Sequence, residues 1–209
     1  LNISSVYPVI LSSTGFVNNR KVHWERTLTK STGRCTLASA KEITAITNEY
    51  QKRIIEGDTT VVLPLVAYYG TGRLWLQHRE KKEDVLLNSS RTNGYIDCMD
   101  SAANDKLIMN WLNKETSKKL QKKTGTAAFD AVIMAIEKCI SLLIESNDVT
   151  VSYNFDNNDL DIQYKKDDQE VILPLNRMSD GYKRTISLIT DIAYRMAQLN
   201  PQLREKVLD

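Results

Sequence analysis

The apolar and polar positions follow two different periods along the chain, and the switches between them divide it into elements. Residues 5–12 and 21–29 are rich in β-branched and aromatic side chains, with turn chemistry between them at Ser13-Thr14-Gly15 and Asn18-Asn19. In the second run Val22, Trp24 and Arg26 alternate with His23, Glu25 and Thr27, which predicts two or three antiparallel strands. Residues 37–55 change to helical spacing. Leu37, Ile43, Ile46, Tyr50 and Ile54 fall near one stripe, and Gly57-Asp58 ends it. Residues 61–69 form a continuous apolar run of strand length, which predicts a strand buried on both faces. Gly70-Thr71-Gly72-Arg73 follows at once, and a Gly-rich turn after a buried strand is where α/β proteins place sites.

Residues 80–94 are polar and read as a loop. Residues 104–123 read as a helix with Leu107, Ile108, Trp111 and Leu112 on its apolar side. A second helix follows over 127–145, where Val132, Ala135, Ile136, Cys139, Ile140 and Leu143 share a face. Three short strands come next, at 149–155, 159–164 and 170–175. They are separated by the hairpin signals Asp156-Asn157-Asn158 and Lys166-Asp167-Asp168. The last helix, 180–199, is apolar on most sides, which predicts burial, and Asn200-Pro201 stops it.

Charge changes this picture little. The net charge is +2, which selects neither a nucleic acid nor any other polyion as partner. No apolar run approaches the roughly 18–20 residues of a membrane span, so no membrane partner is expected. Cys35, Cys98 and Cys139 are far apart and odd in number, which argues against a zinc finger or a disulfide framework. A reduced, cytoplasmic protein is the expectation. The chain opens at Leu1 rather than Met and stops at Asp209 directly after a helix-like stretch, so a segment of a longer protein is expected.

His23 and His78 have no cysteine or paired carboxylate at ligand spacing, and no metal site is expected at either. Asp156, Asp159 and Asp161 lack the glycine and terminal glutamate of a calcium loop and belong to a hairpin turn. Trp24, Trp75 and Trp111 are expected as core or interface anchors. Lys114, Lys118, Lys119, Lys122 and Lys123 make a basic helix end. It could follow a nucleic-acid backbone or simply be solvated.

The most pointed chemistry lies at Met178-Ser179-Asp180-Gly181-Tyr182-Lys183-Arg184. Ser179 is suited to cap the helix that follows, and Gly181 leaves backbone N–H groups open to a ligand. A helix N-terminus with such groups is a phosphate site, and Lys183 and Arg184 add positive charge beside it.

The stretch from Pro174 to Pro201 resembles the signature region of ABC-type ATPases of the repair and bacterial defence kind. These are relatives of SMC, RecF-like and overcoming-lysogenisation-defect proteins. Their motif is Leu-Ser-x-Gly followed by Gln, Glu or Tyr; here Met178 stands for the Leu and Asp180 for a frequent Gly. Ser-Asp-Gly-Tyr-Lys-Arg, with Asn200-Pro201 about twenty residues on, is similar to the AAA/ABC-like ATPases of bacterial defence and virulence loci. So are residues 63–73, with their Tyr69-Gly70-Thr71-Gly72-Arg73 turn, and Gly94-Tyr95-Ile96-Asp97-Cys98-Met99 with Trp111. The likeness runs over roughly residues 60–201.

The resemblance implies an α/β fold of the P-loop NTPase class, an ABC-type head of which this chain is a partial domain. Residues 1–60 would be antiparallel strands and the first helix of the ATPase lobe. Residues 61–80 would be a buried strand and a Q-loop-like turn, and 81–148 a helical lid. Residues 149–209 would be the β meander, signature motif and signature helix. It implies ATP hydrolysis by the parent protein, with ATP and Mg²⁺ as cofactors, in antiphage defence or DNA maintenance. It implies a homodimer closed over ATP, with an effector protein such as a nuclease, or DNA, as further partners. Ser179, Asp180, Gly181 and Lys183 would then be nucleotide-binding in trans, with Ser179 and Gly181 at the γ-phosphate. Tyr69, Gly70, Thr71 and Arg73 would be Q-loop-like, although the usual Gln is missing.

No Gly-x-x-x-x-Gly-Lys-Ser/Thr and no apolar strand ending in Asp-Glu occurs in the chain. Catalytic residues are therefore expected outside it. The competing expectation is a nucleotide-independent nucleic-acid or protein binding module that uses Lys118, Lys119, Lys122 and Lys123.

Overall fold

The computed structural model describes residues 6–17, 19–70, 90–100, 105–122, 127–167 and 169–208. The fold is mixed α/β with antiparallel sheets, and the chain divides into two compact units, Leu1–Val61 and Val62–Asp209.

In the first unit β1 (Val9–Val17) pairs antiparallel with β2 (Arg20–Leu28). The turn falls at Asn19, whose φ of 62° is a left-handed conformation that Asn tolerates. Ser13, Thr14 and Gly15, expected as a turn, lie inside β1, opposite Trp24, His23 and Val22. The sequence offered two turn signals, and the pairing of two equal nine-residue strands uses the second. Helix α1 (Lys41–Ile55) follows a single 3-10 turn at Ala38–Ala40. Tyr50 and Val22 are buried, whereas Leu37 is exposed and lies before the helix rather than on its stripe. After α1, Asp58 accepts from Thr60, from its hydroxyl and its amide, and from Arg53 Nε at 2.8 Å. These bonds, Thr60 first, hold its carboxyl down at about 2.

The second unit carries the main core. Helices α2 (Asp105–Lys122), α3 (Ala127–Ile144) and α4 (Asp180–Leu199) pack with a three-stranded meander of β3 (Thr150–Asn154), β4 (Asp159–Lys166) and β5 (Gln169–Pro174). The strand order is β3-β4-β5, antiparallel throughout. Asn158 and Asp167, at the two hairpins, have φ of 51°, which is why Asn and Asp stand there. On α3 the expected stripe is the buried one: Val132, Ile136 and Ile140 are wholly inaccessible. Leu112 of α2, Leu160 and Ile162 of β4 and Ile186 and Tyr194 of α4 meet them in one cluster. Trp111 is the centre of its aromatic part, with ring centroids 5.2 Å from Tyr194 and 5.9 Å from Phe129. Glu137 of α3 accepts from the Val151 amide at 3.0 Å and so satisfies an edge of the meander. The described part of 81–148 thus shares a single core with the meander and α4.

One element departs from expectation. Residues 61–69 do not form a strand; they run without ladder pairing. Only Val61 and Leu63 are buried, while Val62, Leu65, Val66 and Tyr68 are exposed. Apolar content alone had suggested a central strand, but no other strand of the described residues lies alongside to accept its backbone bonds. Side chains satisfy part of that backbone instead. The expected loop at 80–94 lies outside the described residues up to 89, and 91–95 form a 3-10 turn.

The C-terminal half of α4 fits tightly against that turn. A Cβ on Gly94 would stand 2.6 Å from Leu199 Cγ and 3.2 Å from the Arg195 carbonyl oxygen. Gly94→Ala must therefore push the turn off the helix. It is expected to cost about 1–3 kcal/mol, the usual range for overpacking a filled site, in urea denaturation of the protein.

Candidate functional site

The signature-like loop is built from the end of β5 and the start of α4. A 3-10 turn at Leu175–Arg177 brings the chain off the sheet, and the Met178 amide closes it by donating to the Leu175 carbonyl at 3.0 Å. Asp159, buried at the start of β4, pins this turn. Its carboxylate accepts from the Asn176 amide at 3.0 Å and from the Leu160 amide at 2.9 Å. Leu175 and Met178 are buried, so the loop is anchored on both sides of its bend. Met178 fills a core position, which any unbranched apolar side chain of this size could do.

Beyond Met178 the chain turns outward. Ser179, Asp180, Gly181 and Tyr182 are all exposed. Ser179 occupies the N-cap position, and its carbonyl accepts from the Lys183 amide at 3.0 Å. Its hydroxyl makes no capping bond, contrary to the sequence expectation. Among the described residues no other group lies within 4 Å of where a Cβ on Gly181 would stand, so their packing does not require a glycine there. The surface at the first turn of α4 is open.

Charge at the loop differs from expectation as well. Lys183 Nζ is 2.8 Å from Asp180 Oδ1, one helical turn away. The hydrogen bond from Lys183 holds the Asp180 carboxyl below its usual range. The lysine is thus occupied with its neighbour. A phosphate at this turn would meet backbone N–H groups, the helix dipole and the Ser179 hydroxyl. It would also meet the Asp180 carboxylate, which opposes it unless Lys183 keeps it neutralised.

The second group, Tyr69 and Gly70, lies elsewhere. Tyr69 donates its hydroxyl to Asp191 Oδ2 at 2.9 Å. Asp191 is twelve residues past Ser179 on the same helix, which at the α-helical rise is about 18 Å along the axis. The chain therefore does not bring Tyr69 to the Ser179 loop; it bonds Tyr69 further along the helix that the loop begins. Thr71 and Arg73 lie outside the described residues.

The lysine end of α2 is less cationic than its sequence. Lys118 pairs with Glu115, and Lys119 pairs with Asp130 at 2.7 Å while its ammonium stands 5.7 Å from the Phe129 ring centre. These pairings neutralise two of the four lysines expected to track a phosphate backbone. The Lys122 side chain and Lys123 lie outside the described residues.

The polar network inside the C-terminal half of α4 has no counterpart among the sequence expectations. Asp191 and Arg195 are buried and paired, with Arg195 Nε 3.1 and 3.2 Å from the two carboxylate oxygens. Arg195 NH1 also donates to the carbonyls of Gly94 and Ile96, at 2.8 and 2.9 Å. Arg91 donates to the Leu199 carbonyl at 2.7 Å and to Asn200 Oδ1 at 3.1 Å. The i,i+4 spacing of Asp191 and Arg195 was the available signal. Tyr194, between them in sequence, is buried with its hydroxyl unbonded, and burial pushes that hydroxyl up to about 12. Tyr95 is raised to about 12 by the same cause, and it donates to the Pro64 carbonyl at 2.7 Å.

No protein-family model matches the chain, and no match is found among curated proteins. No described helix is long and apolar enough to cross a membrane.

Proposed function

We propose that this chain is the signature-bearing part of an ABC-type ATPase head of the P-loop NTPase class, and that its Ser179–Gly181 loop closes on ATP held by a second copy of the protein. The observation that carries the reading is the exposed first turn of α4. A twenty-residue helix presents its N-terminus to solvent, with an uncommitted Ser hydroxyl and a glycine in open space. A glycine that no described group demands is readily explained by a ligand or partner approaching from outside. The loop behind it is rigid, because Asp159 and Met178 fix it from the core.

The residues present fit one side of a nucleotide site. Ser179 and the amides around Gly181 would hold the γ-phosphate, and Lys183 would keep the Asp180 charge from repelling it. Mg²⁺, the phosphate cradle and the water-activating carboxylate would come from outside this chain, since no Walker A or Asp-Glu strand motif occurs in it. ATP supplies the closing force between copies when bound; this chain supplies one rigid face. Bacterial defence or DNA maintenance, with an effector such as a nuclease, is the setting this reading suggests. A nucleotide-independent module acting through the α2 lysines has less support, since Lys118 and Lys119 are paired with carboxylates.

A half-site predicts a specific failure. The isolated 209-residue chain is expected to release no phosphate above background from ATP with Mg²⁺. Sustained Mg²⁺-dependent turnover by this chain alone would sink the half-site reading.

A further inference from the structure

We infer that the Asp159 carboxylate is a positioning residue for the Ser179 loop, acting on ATP-driven association through the Asn176 amide. The inference rests on the reading of that loop as one half of a nucleotide site.

The two carboxylate oxygens have separate tasks. Oδ1 accepts from the amide of the next residue, Leu160, at 2.9 Å. Oδ2 accepts from the Asn176 amide, 17 positions on, at 3.0 Å. The first bond is local and fixes how the carboxylate is turned. The second crosses from the start of β4 to the 3-10 turn that leads into Ser179. Asp159 is 7% exposed, so water does not readily replace either bond.

The mount behind it is fixed as well. Asp159 ends the β3–β4 ladder opposite Asn154, and Asn158 before it takes the left-handed turn. Asn158 Oδ1 accepts from the buried Tyr153 hydroxyl at 3.2 Å, and that hydroxyl accepts from Asn113 Nδ2 of α2 at 3.3 Å. The loop thus takes its position from β4 and, through the hairpin tip, from α2.

Asp159→Asn isolates this role. Among the described residues the partners of Asp159 are backbone amides rather than a cation, so a neutral side chain of the same size strands no counter-charge. Asn has one oxygen, however, and its Nδ2 is a donor. One amide is then met and the other faces a second donor. The Leu160 amide moves with residue 159, so the Asn176 bond gives way. The pinned loop becomes the minority state, and its fraction multiplies the apparent association constant.

The test compares wild type and Asp159→Asn by amide hydrogen exchange, and by light scattering of the protein with Mg²⁺ and a non-hydrolysable ATP analogue. Exchange at Asn176 should rise roughly tenfold, the scale of one hydrogen bond to a charged group, with Ile136 and Ile140 unchanged. Association should fall by a similar factor while analogue binding stays the same. Raising the protein concentration about tenfold should restore the doubled mass, because every contacting group is still present. The role is overturned if Asn176 exchanges as before, or if Ile136 and Ile140 exchange faster with it, since Asp159 then serves only the core. It is also overturned if the loop loosens and association holds. Rapid exchange of Asn176 in wild type overturns it with no variant needed. Failure of wild type to associate overturns the ATP reading and this role with it, whereas normal association with unaltered Asn176 exchange overturns the role alone.

Discussion

Asp191→Ala is expected to destabilise the protein by about 3–5 kcal/mol, the cost of removing one member of a buried ion pair. The reason is what it leaves behind. Arg195 is 3% exposed, and its Nε is shared by the two Asp191 oxygens. Without the carboxylate a guanidinium stays in the core with two backbone carbonyls as its only described acceptors. The loss exceeds that expected at the exposed end of the same helix, where Asp180 and Lys183 are paired at the surface and water screens them. Replacing both partners with apolar residues of similar size should recover most of the loss in the charge balance, although the Gly94 and Ile96 carbonyls then lose a donor. Urea denaturation of the single and double variants measures both. A single-variant loss below about 1 kcal/mol would mean the pair is solvated rather than buried.

The second large effect is expected at Ser179. Ser179→Arg introduces a long cationic side chain at an exposed position, with no core contact to disturb. The fold should be retained, with a melting temperature within a few degrees of wild type, because exposed substitutions away from caps and networks usually change stability by about 0.5 kcal/mol or less. The Ser hydroxyl makes no capping bond, so none is lost. Association through ATP should nevertheless fall by at least about a hundredfold. That is the combined scale of two hydrogen bonds to a charged phosphate, at about 1.5–3 kcal/mol each.

The parts of this structure that could be read from the sequence are those where one local rule decides. The Asn158 and Asp167 turns, the α3 stripe through Ile140 and the stop of α4 at Asn200 each follow from backbone or periodicity rules acting over a few residues. Residues 61–69 failed because an apolar run is equally compatible with a strand and with an irregular segment, and only a neighbouring strand distinguishes them. Asn200 was legible as a helix stop, but its bonds to Leu63 span 137 positions and have no local signature. Asp191 and Arg195 look like an ordinary surface pair at i,i+4 until the packing around them is known. At the candidate site the sequence placed Ser179 and Gly181 correctly at the helix start. It could not show that Ser179 leaves its cap role unused or that Lys183 turns back onto Asp180.

If the Ser179–Gly181 loop acts on ATP held by another copy, association must follow the nucleotide. Light scattering of the full-length protein, with and without Mg²⁺ and a non-hydrolysable ATP analogue, tests it most directly. Wild type is expected to double in mass with the analogue, while Ser179→Arg stays monomeric and still binds the analogue. Doubling of the variant at the same analogue concentration would contradict it.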